Sequence, residues 1–320
     1  MKSIYLGFAI GSVFTFFRHP LNAQTVPGDS ISSAALPEEV IMVEEGTVVI
    51  PPLFEYVIAP DELPDLRSKT DYLMDNFWNP FDFKNTTAVD QNALNHAFLV
   101  YVETMPHASE KKVMDSVKKL IGNIKNNPGL TYQFAKAAEE ALYGPRSEFW
   151  ADDIYVQFLQ NIVDNKKISE GRKAKYVRQL NLITSTSIGK KLPDFAVTGS
   201  HGNTMRIVPN KEFTLIGFQP AECSDCRYSN LKLDISAVIN DLMENGTLDV
   251  MMVGIGDNMP VGMPDKWNIL RTGDISDKLD MRISPCFYLI DKDGVIRGKN
   301  LSVDRAISLL EILTNESENI

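Results

Sequence analysis

Cysteine is scarce in this 320-residue chain, which contains three: Cys223, Cys226 and Cys286. A small scaffold held by disulfides carries several pairs in a short chain, so this composition excludes that class. Two of the cysteines form one Cys-x-x-Cys, whereas a zinc site would need a second pair of ligands at suitable spacing. We therefore expect the thiols to serve chemistry rather than framework, and no metal or other bound cofactor is predicted.

Positive charge is also in short supply. The chain has 32 Lys and Arg against 42 Asp and Glu, which gives a formal net charge of −10. A protein this acidic is a poor candidate for binding nucleic acid or anionic membrane surfaces. Hydrophobic content of 44% and charged content of 23% are typical of a soluble globular protein long enough for two domains.

Long apolar runs are missing as well, and the N-terminal one is short. Residues 4–17 form a run of about 14 residues behind Lys2, below the ~20 needed to span a bilayer. Leu21-Asn22-Ala23 offers a small residue for cleavage, so residues 1–23 are predicted to be a secretory signal, with an uncleaved anchor as the alternative. The mature protein would then lie in the periplasm or cell envelope without an integral membrane span.

Residues 24–64 are interrupted by Pro51-Pro52 and Pro60 and are predicted to be a tether, with at most one strand pair. Residues 65–187 change to apolar spacings of three and four, which predict an all-α domain. Its main predicted helices cover 92–103, 109–126, 128–143, 148–165 and 169–183. The segment contains no cysteine and no glycine-rich phosphate loop, so a packing or docking role is expected.

From residue 188 to 316 the pattern alternates between strands and helices. The apolar strand 213–218 leads through a short turn into Cys223-Ser-Asp-Cys226, where one helix is predicted to run to residue 244. Its apolar face would hold Tyr228, Leu231, Ile235, Val238, Ile239 and Leu242. A buried strand at 248–255, a short helix near 264–270, a strand and hairpin at 284–297 and a last helix at 303–313 complete the region. The predicted fold class is therefore α/β, preceded by an all-α domain.

The first cysteine lies at the start of the predicted helix. There it meets unpaired backbone N–H groups and the positive end of the helix dipole, and both favour thiolate over thiol. The second cysteine is one turn further on and can close a disulfide with the first. The pair predicts a dithiol redox site.

Three local motifs resemble the TlpA/ResA-like thioredoxin-fold thiol–disulfide oxidoreductases. They are the lead-in Gly189-Lys-Lys-Leu-Pro-Asp-Phe195, the redox motif Cys223-Ser-Asp-Cys226, and Ser284-Pro285 followed by Phe287-Tyr-Leu-Ile-Asp-Lys-Asp-Gly294. The resemblance covers about 188–316. Upstream, Phe77-Trp-Asn-Pro-Phe-Asp-Phe83 and Ala138-Glu-Glu-Ala-Leu-Tyr-Gly144 resemble a helical domain of unknown function found before thioredoxin-like domains in Bacteroidota envelope proteins.

This resemblance implies a mixed central sheet flanked by helices and specific roles at the site. Cys223 would be the nucleophile that attacks a partner disulfide, and Cys226 would resolve the mixed disulfide. Pro285, in the cis form, would expose the backbone of Ser284 to the substrate chain. The redox-active disulfide would be the only redox group, and the partners would be protein thiols or disulfides and an upstream electron donor.

The sequence also departs from the family pattern. Glu222 stands where an aromatic residue usually precedes the first cysteine, and Gly217 stands where thioredoxins have a buried acid. Glu222 and Asp225 place negative charge beside Cys223, and like charge disfavours a thiolate. We therefore expect a Cys223 pKa near the ordinary ~8.5 and a reducing couple. Cys286 is either a small apolar strand residue or an alternative resolving thiol.

Two functions of different classes remain at this stage. The first is an extracytoplasmic thiol–disulfide oxidoreductase working in the reducing direction. The second is an envelope binding module in which the thioredoxin-like region is a scaffold and the helical domain docks a partner. A peroxiredoxin is excluded, because after Pro220 its hydroxyl and cysteine positions hold Ser224 and Arg227.

Overall fold

The structure, a computed structural model, describes residues 51–145, 147, 150–220 and 223–318. Every element named below lies in one compact unit, residues 53–320. The predicted signal at 1–23 and most of the predicted tether lie outside the described residues. The predicted domain boundaries stay predictions.

Among the described residues, six α-helices form the first half of this unit, as the helical periodicity predicted. They are α1 Leu66–Asn76, α2 Gln91–Thr104, α3 Glu110–Ile124, α4 Pro128–Leu142, α5 Asp152–Asp164 and α6 Glu170–Ser185. Asp65, Asp90 and Asn127 cap the starts of α1, α2 and α4, where each side chain accepts a backbone N–H. Such caps satisfy donors that the first helical turn leaves unpaired.

Aromatic side chains fill the core of this helical part. Trp78 has its ring centroid 5.2 Å from that of Phe134 and 5.5 Å from that of Tyr101, both in edge-on arrangements. Phe54 and Tyr56 pack against the same core from the segment before α1. The helical packing therefore begins before residue 65, inside the segment that was predicted to be a tether.

A seven-stranded mixed sheet forms the second half of the unit. Its strands are β1 Ala196–Gly199, β2 Thr204–Arg206, β3 Phe213–Pro220, β4 Leu248–Ile255, β5 Asn268–Thr272, β6 Cys286–Asp291 and β7 Ile296–Leu301. The order across the sheet is β2-β1-β5-β4-β3-β6-β7. The central strands β3, β4 and β5 run parallel, whereas β6 pairs with β3 antiparallel. Helices α7 Ser224–Asp234, α8 Ala237–Glu244 and α9 Val303–Glu318 complete the region. The predicted α/β class is confirmed.

The helix predicted from Cys223 to residue 244 is two helices rather than one. Ser236 interrupts it, because its side chain accepts the N–H of Ile239 and begins α8. The predicted helix face is wrong for α7, where Tyr228, Leu231 and Ile235 are exposed, whereas Ile239 of α8 is buried as predicted. Cys226, Ser229, Asn230 and Leu233 make the buried face of α7 instead.

Residues 264–270 hold strand β5 from Asn268 onward rather than the short helix that was predicted. Parallel pairing with β4 decides this, with Met252 opposite Ile269 and Val253 opposite Leu270. Within the described ranges, no helix is long and apolar enough to cross a bilayer.

Candidate redox site

The Cys-x-x-Cys motif lies where β3 ends and α7 begins, and its two cysteines form a disulfide. Cys223 is the N-cap of α7, and its sulfur accepts the backbone N–H of Cys226 at 3.1 Å. Cys223 is half-buried, whereas Cys226 is 4% exposed. An attacking group from outside can therefore reach Cys223 more readily. After reduction, the same N–H and the helix dipole would stabilise a thiolate on Cys223.

The segment before β6 lies against this disulfide. Ser284 Oγ is 3.7 Å from Cys223 Sγ, and the Ser284–Pro285 peptide bond is cis. A sulfur in a disulfide carries no proton, so in this state the serine hydroxyl is the donor of that contact. Strand β6 starts at the next residue, Cys286, which lies opposite Phe218 of β3. The pairing of β3 with β6 thus brings two motifs 61 residues apart to one place.

A cleft of about 350 Å³ opens beside the disulfide. Both cysteines line it together with Arg227, and its far side is the loop after β4, which includes Met259, Pro260 and Val261. Val261 is 85% exposed. The lining of the cleft beside Cys223 is therefore partly apolar.

Two amides, Gln219 and Asn230, form the polar part of this cleft. Asn230 Nδ2 donates to Gln219 Oε1 at 3.2 Å, and both residues are buried. Asn230 follows Cys226 by four residues, so the two share one face of α7. The spacing of four residues is present in the sequence, but the predicted apolar face of the helix did not include Asn230.

Beneath the site, Gly217 leaves no room for the buried acid that thioredoxins place there. A Cβ added at Gly217 would lie 2.7 Å from Met252 Sδ and 2.8 Å from Phe287 Cε1. Both neighbours are fully buried, one on β4 and one on β6. The missing acid is thus replaced by apolar packing.

Cys286 is a free, buried thiol, 1% exposed. Its Sγ donates to Asn300 Oδ1 at 3.4 Å, and it packs in the apolar cluster that includes Phe218 and Tyr288. Burial, followed by the charge of Asp280, raises the pKa of Cys286 to about 12. Cys286 is therefore a protonated core residue in this state, in keeping with the first of its two interpretations.

An ion network lies on the other side of this thiol. Asp280 receives two hydrogen bonds from Arg282, at 3.1 Å from Nε and 2.6 Å from Nη2, and one from Lys299 at 2.9 Å. Asp152, the first residue of α5, binds both cations, with Arg282 at 2.6 Å and Lys299 at 2.7 Å. Two acids and two bases thus balance in charge between the helical part and the sheet.

Ion pairing outweighs burial in the titration of Asp280 and Arg282. Burial raises the pKa of Asp280, but hydrogen bonds from Arg282 and the charge of Lys299 outweigh it and hold that pKa below its usual value. Burial opposes the charge on Arg282, yet Asp280 and Asp152 raise its pKa. The guanidinium also lies over the ring of Tyr143 at 4.3 Å and that of Trp150 at 5.4 Å. Cation–π contacts of this kind favour the charged form further.

The structure brings together Cys223, Cys226 and Ser284-Pro285, four of the predicted site residues. Asp225 is exposed in the first turn of α7, and Cys286 lies behind the site in the core. Glu222 lies outside the described residues. Their roles in chemistry stay predictions. Sequence reasoning missed Asp152, Asp280, Arg282, Lys299 and Asn300, because none of them belongs to a recognisable short motif and the contact between Asp152 and Arg282 spans 130 residues.

Residues 28–186 match the family model of a domain of unknown function, DUF5106. No curated protein is similar enough to this chain to count as a match. The crystal structure of a thioredoxin-like protein from Bacteroides caccae superimposes with a TM-score of 0.68 and 18% identity, over 82% of this chain and 99% of that chain.

Two other solved structures are similar to a smaller part. The thioredoxin domain of a thiol-disulfide oxidoreductase from Bacteroides vulgatus gives a TM-score of 0.31 at 20% identity, covering 40% of this chain and 97% of that chain. A reduced 2-Cys peroxiredoxin from Plasmodium vivax gives 0.31 at 15%, covering 41% and 98%. Neither bears on the chemistry of this site.

The C-terminal part of the chain therefore has a thioredoxin-like fold. The likeness to the Bacteroides caccae structure includes this part and most of the helical region before it. The expected domain of unknown function before it is confirmed by the family match. The local motifs thus correctly predicted a thioredoxin-like fold preceded by a domain of unknown function.

Proposed function

We propose that this protein is an extracytoplasmic thiol–disulfide oxidoreductase that exchanges its Cys223–Cys226 pair with protein partners in the reducing direction. The observation that carries the proposal is the disulfide at the start of α7, with its outer sulfur in contact with Ser284 at 3.7 Å. The partial exposure of Cys223, the burial of Cys226 and the adjoining cleft support distinct roles for the two sulfurs.

In the proposed cycle, the reduced protein donates two electrons to a partner disulfide. The Cys223 thiolate attacks one partner sulfur, so that a mixed disulfide forms and the other partner sulfur leaves as a thiolate that takes up a proton. Cys226 then loses its proton and attacks Cys223, which releases the first partner sulfur as a second thiol. The product is the disulfide form described above, and an upstream dithiol donor must reduce it again.

The reducing direction is supported by the charges that adjoin Cys223 in the sequence. Asp225 is exposed on the first turn of α7, and Glu222 precedes Cys223 directly. The N–H of Cys226 acts in the opposite sense, because it favours the thiolate. We propose that the acids outweigh it and place the midpoint closer to thioredoxin's ~−270 mV than to the ~−120 mV of a strong periplasmic oxidant.

The extracytoplasmic location is supported by the pattern of residues 1–23 and by the disulfide, since disulfides persist outside the cytoplasm. Mass spectrometry of the chain recovered from a periplasmic fraction tests it, with the new N-terminus at Gln24 as the expected result. A full-length chain in the cytoplasmic fraction would contradict this location.

Insulin reduction tests the activity. We expect turnover with wild type, loss of at least ~100-fold in Cys223→Ser, because the nucleophile is gone, and a trapped mixed disulfide in Cys226→Ser. Cys286→Ser is the matched control, since it removes the third thiol outside the site. Equilibration in glutathione buffers gives the midpoint. Absence of insulin turnover in wild type would overturn the proposed activity. A midpoint potential as high as that of the strong periplasmic oxidant would overturn the reducing direction.

A further inference from the structure

The segment Ile283-Ser284-Pro285, here called the proline segment, is held at both ends by one side chain. Asn300 Oδ1 accepts the backbone N–H of Arg282 at 2.9 Å and the thiol of Cys286 at 3.4 Å. Arg282 and Cys286 are the residues directly before and after the segment. The position of Asn300 therefore sets the position of the chain that lies against Cys223.

Asn300 is in turn fixed by the ion network. Its Nδ2 donates to Asp280 Oδ2 at 3.3 Å, and Lys299, its neighbour on β7, binds the same oxygen at 2.9 Å. Asn300 is 4% exposed and has a φ of 51°, a conformation that asparagine adopts more readily than most residues. Since the Asn300 side chain is enclosed, a displacement of the ion network shifts Asn300 and, with it, the proline segment.

The outer end of the network belongs to the helical part. Asp152 of α5 bonds to Arg282 and Lys299, whose side chains are 3% and 8% exposed. Tyr143, beyond the end of α4, covers the guanidinium face. A continuous series of contacts thus runs from Asp152 through Arg282 and Asn300 to the proline segment and the redox sulfur.

We propose that Asp152 is a positioning residue for the redox site, so that the helical domain sets the geometry of the proline segment and the rate of thiol exchange. This rests on the proposed function for the exchange itself. A simpler role, in which these ions only hold the two parts of the chain together, predicts different results in the experiment below.

Cys286 supplies a reporter that does not depend on redox activity. With Cys223 and Cys226 in their disulfide, it is the one free thiol, and its alkylation requires the segment beside it to open. We expect alkylation of oxidised Asp152→Asn to be about tenfold faster than that of wild type, because local opening governs access to a buried group. The second-order rate of insulin reduction should fall about tenfold, through a higher KM, because the proline segment faces the partner.

Two controls separate positioning from mere attachment. Arg178→Gln removes another contact between the same two parts, since Arg178 of α6 binds Ser276 Oγ and its carbonyl oxygen at 2.9 Å. Val117→Ala lowers overall stability from the core of α3, away from the network. Both should alkylate within about twofold of wild type once rates are compared at equal unfolding free energy from urea titrations.

Equal alkylation of Asp152→Asn, Arg178→Gln and Val117→Ala at matched stability would overturn the proposal. If Asp152→Asn does not fold, Tyr143→Leu decides by the same criterion, since it leaves all four charges and removes the ring under Arg282. About threefold faster alkylation is expected for it, because the ring contact with Arg282 and the side-chain hydrogen bond with Asp280 are lost. If wild type fails to reduce insulin, the proposed function fails, while the alkylation rates still decide whether Asp152 positions the segment.

Discussion

The two strands that meet at the redox disulfide are supported in opposite ways. On β3, the strand that leads into Cys223, Gly217 is enclosed by Met252 and Phe287, so its surroundings are apolar. Behind the start of β6, Asp280 and Arg282 belong to an ion network that reaches Asp152. The buried charges of this network therefore link the segment before β6 to helix α5.

The largest effect should come from the centre of the network. Asp280→Asn leaves Arg282 and Lys299 with one acid between them, and removing a partner from a buried ion network costs about 3–5 kcal/mol. Urea unfolding followed by circular dichroism measures this. Asp75→Asn is the control, since its pair with Lys112 is about 40% exposed on each side and should cost about 1 kcal/mol or less. Equal losses of unfolding free energy in both variants would show that the buried network stabilises the fold no more than a surface ion pair does.

The apolar support of β3 should be the next most sensitive. Gly217→Ala places a methyl group within 2.8 Å of Met252 and Phe287, and overpacking of this kind costs about 1–3 kcal/mol. Gly122→Ala is the control, because a Cβ there has no neighbour within 4 Å and glycine is unfavourable inside a helix. Its stability should rise slightly. A neutral Gly217→Ala would contradict tight packing below the disulfide.

Acid should erase the difference between wild type and Asp280→Asn. The pKa of Asp280 is lower in the folded protein than in the unfolded chain. Its contribution is therefore present above the unfolded pKa, about 3.9, and is lost as the pH falls through the folded value. The gap in unfolding free energy should be constant from pH 6 to about 5 and narrow below about pH 4. A gap that stays constant down to pH 2.5 would contradict the assigned charge state.

Cys286 should show the smallest effect on activity. Because its thiol is buried and protonated, and a serine hydroxyl can donate to Asn300 in its place, Cys286→Ser is expected to change insulin turnover less than about twofold. A Cys223–Cys286 disulfide in the Cys226→Ser variant would instead establish it as a second resolving thiol. Non-reducing peptide mapping of that variant distinguishes the two outcomes.

Regular spacing in the sequence was enough to predict the helices of the first half and the order of elements around the redox motif. It failed for α7, where the apolar residues Tyr228, Leu231 and Ile235 face outward and polar Ser229 and Asn230 face inward. A rule that places apolar residues inside cannot anticipate such a reversal, because packing against the sheet decides it.

At the candidate site, too, residues in short motifs could be predicted, whereas residues that meet only through the fold could not. Cys223, Cys226, Ser284 and Pro285 were found because each belongs to a short motif. Asp152 and Asp280 carry no such signal, since an isolated acid in a sequence is most often on the surface. Only the three-dimensional arrangement reveals that Arg282 has its partner in α5, 130 residues earlier in the chain.

The reach of Asp152 into the sheet also constrains how this protein can evolve. A thioredoxin-like domain is exchangeable among proteins when its surface ends at a neutral boundary, but here an acid on one module neutralises bases on the other. Recombination that replaced the helical module would leave Arg282 and Lys299 with a charge surplus in the interior. Related two-module chains should therefore vary in a correlated manner at positions 152, 282 and 299, whereas relatives without the helical module should lack the arginine.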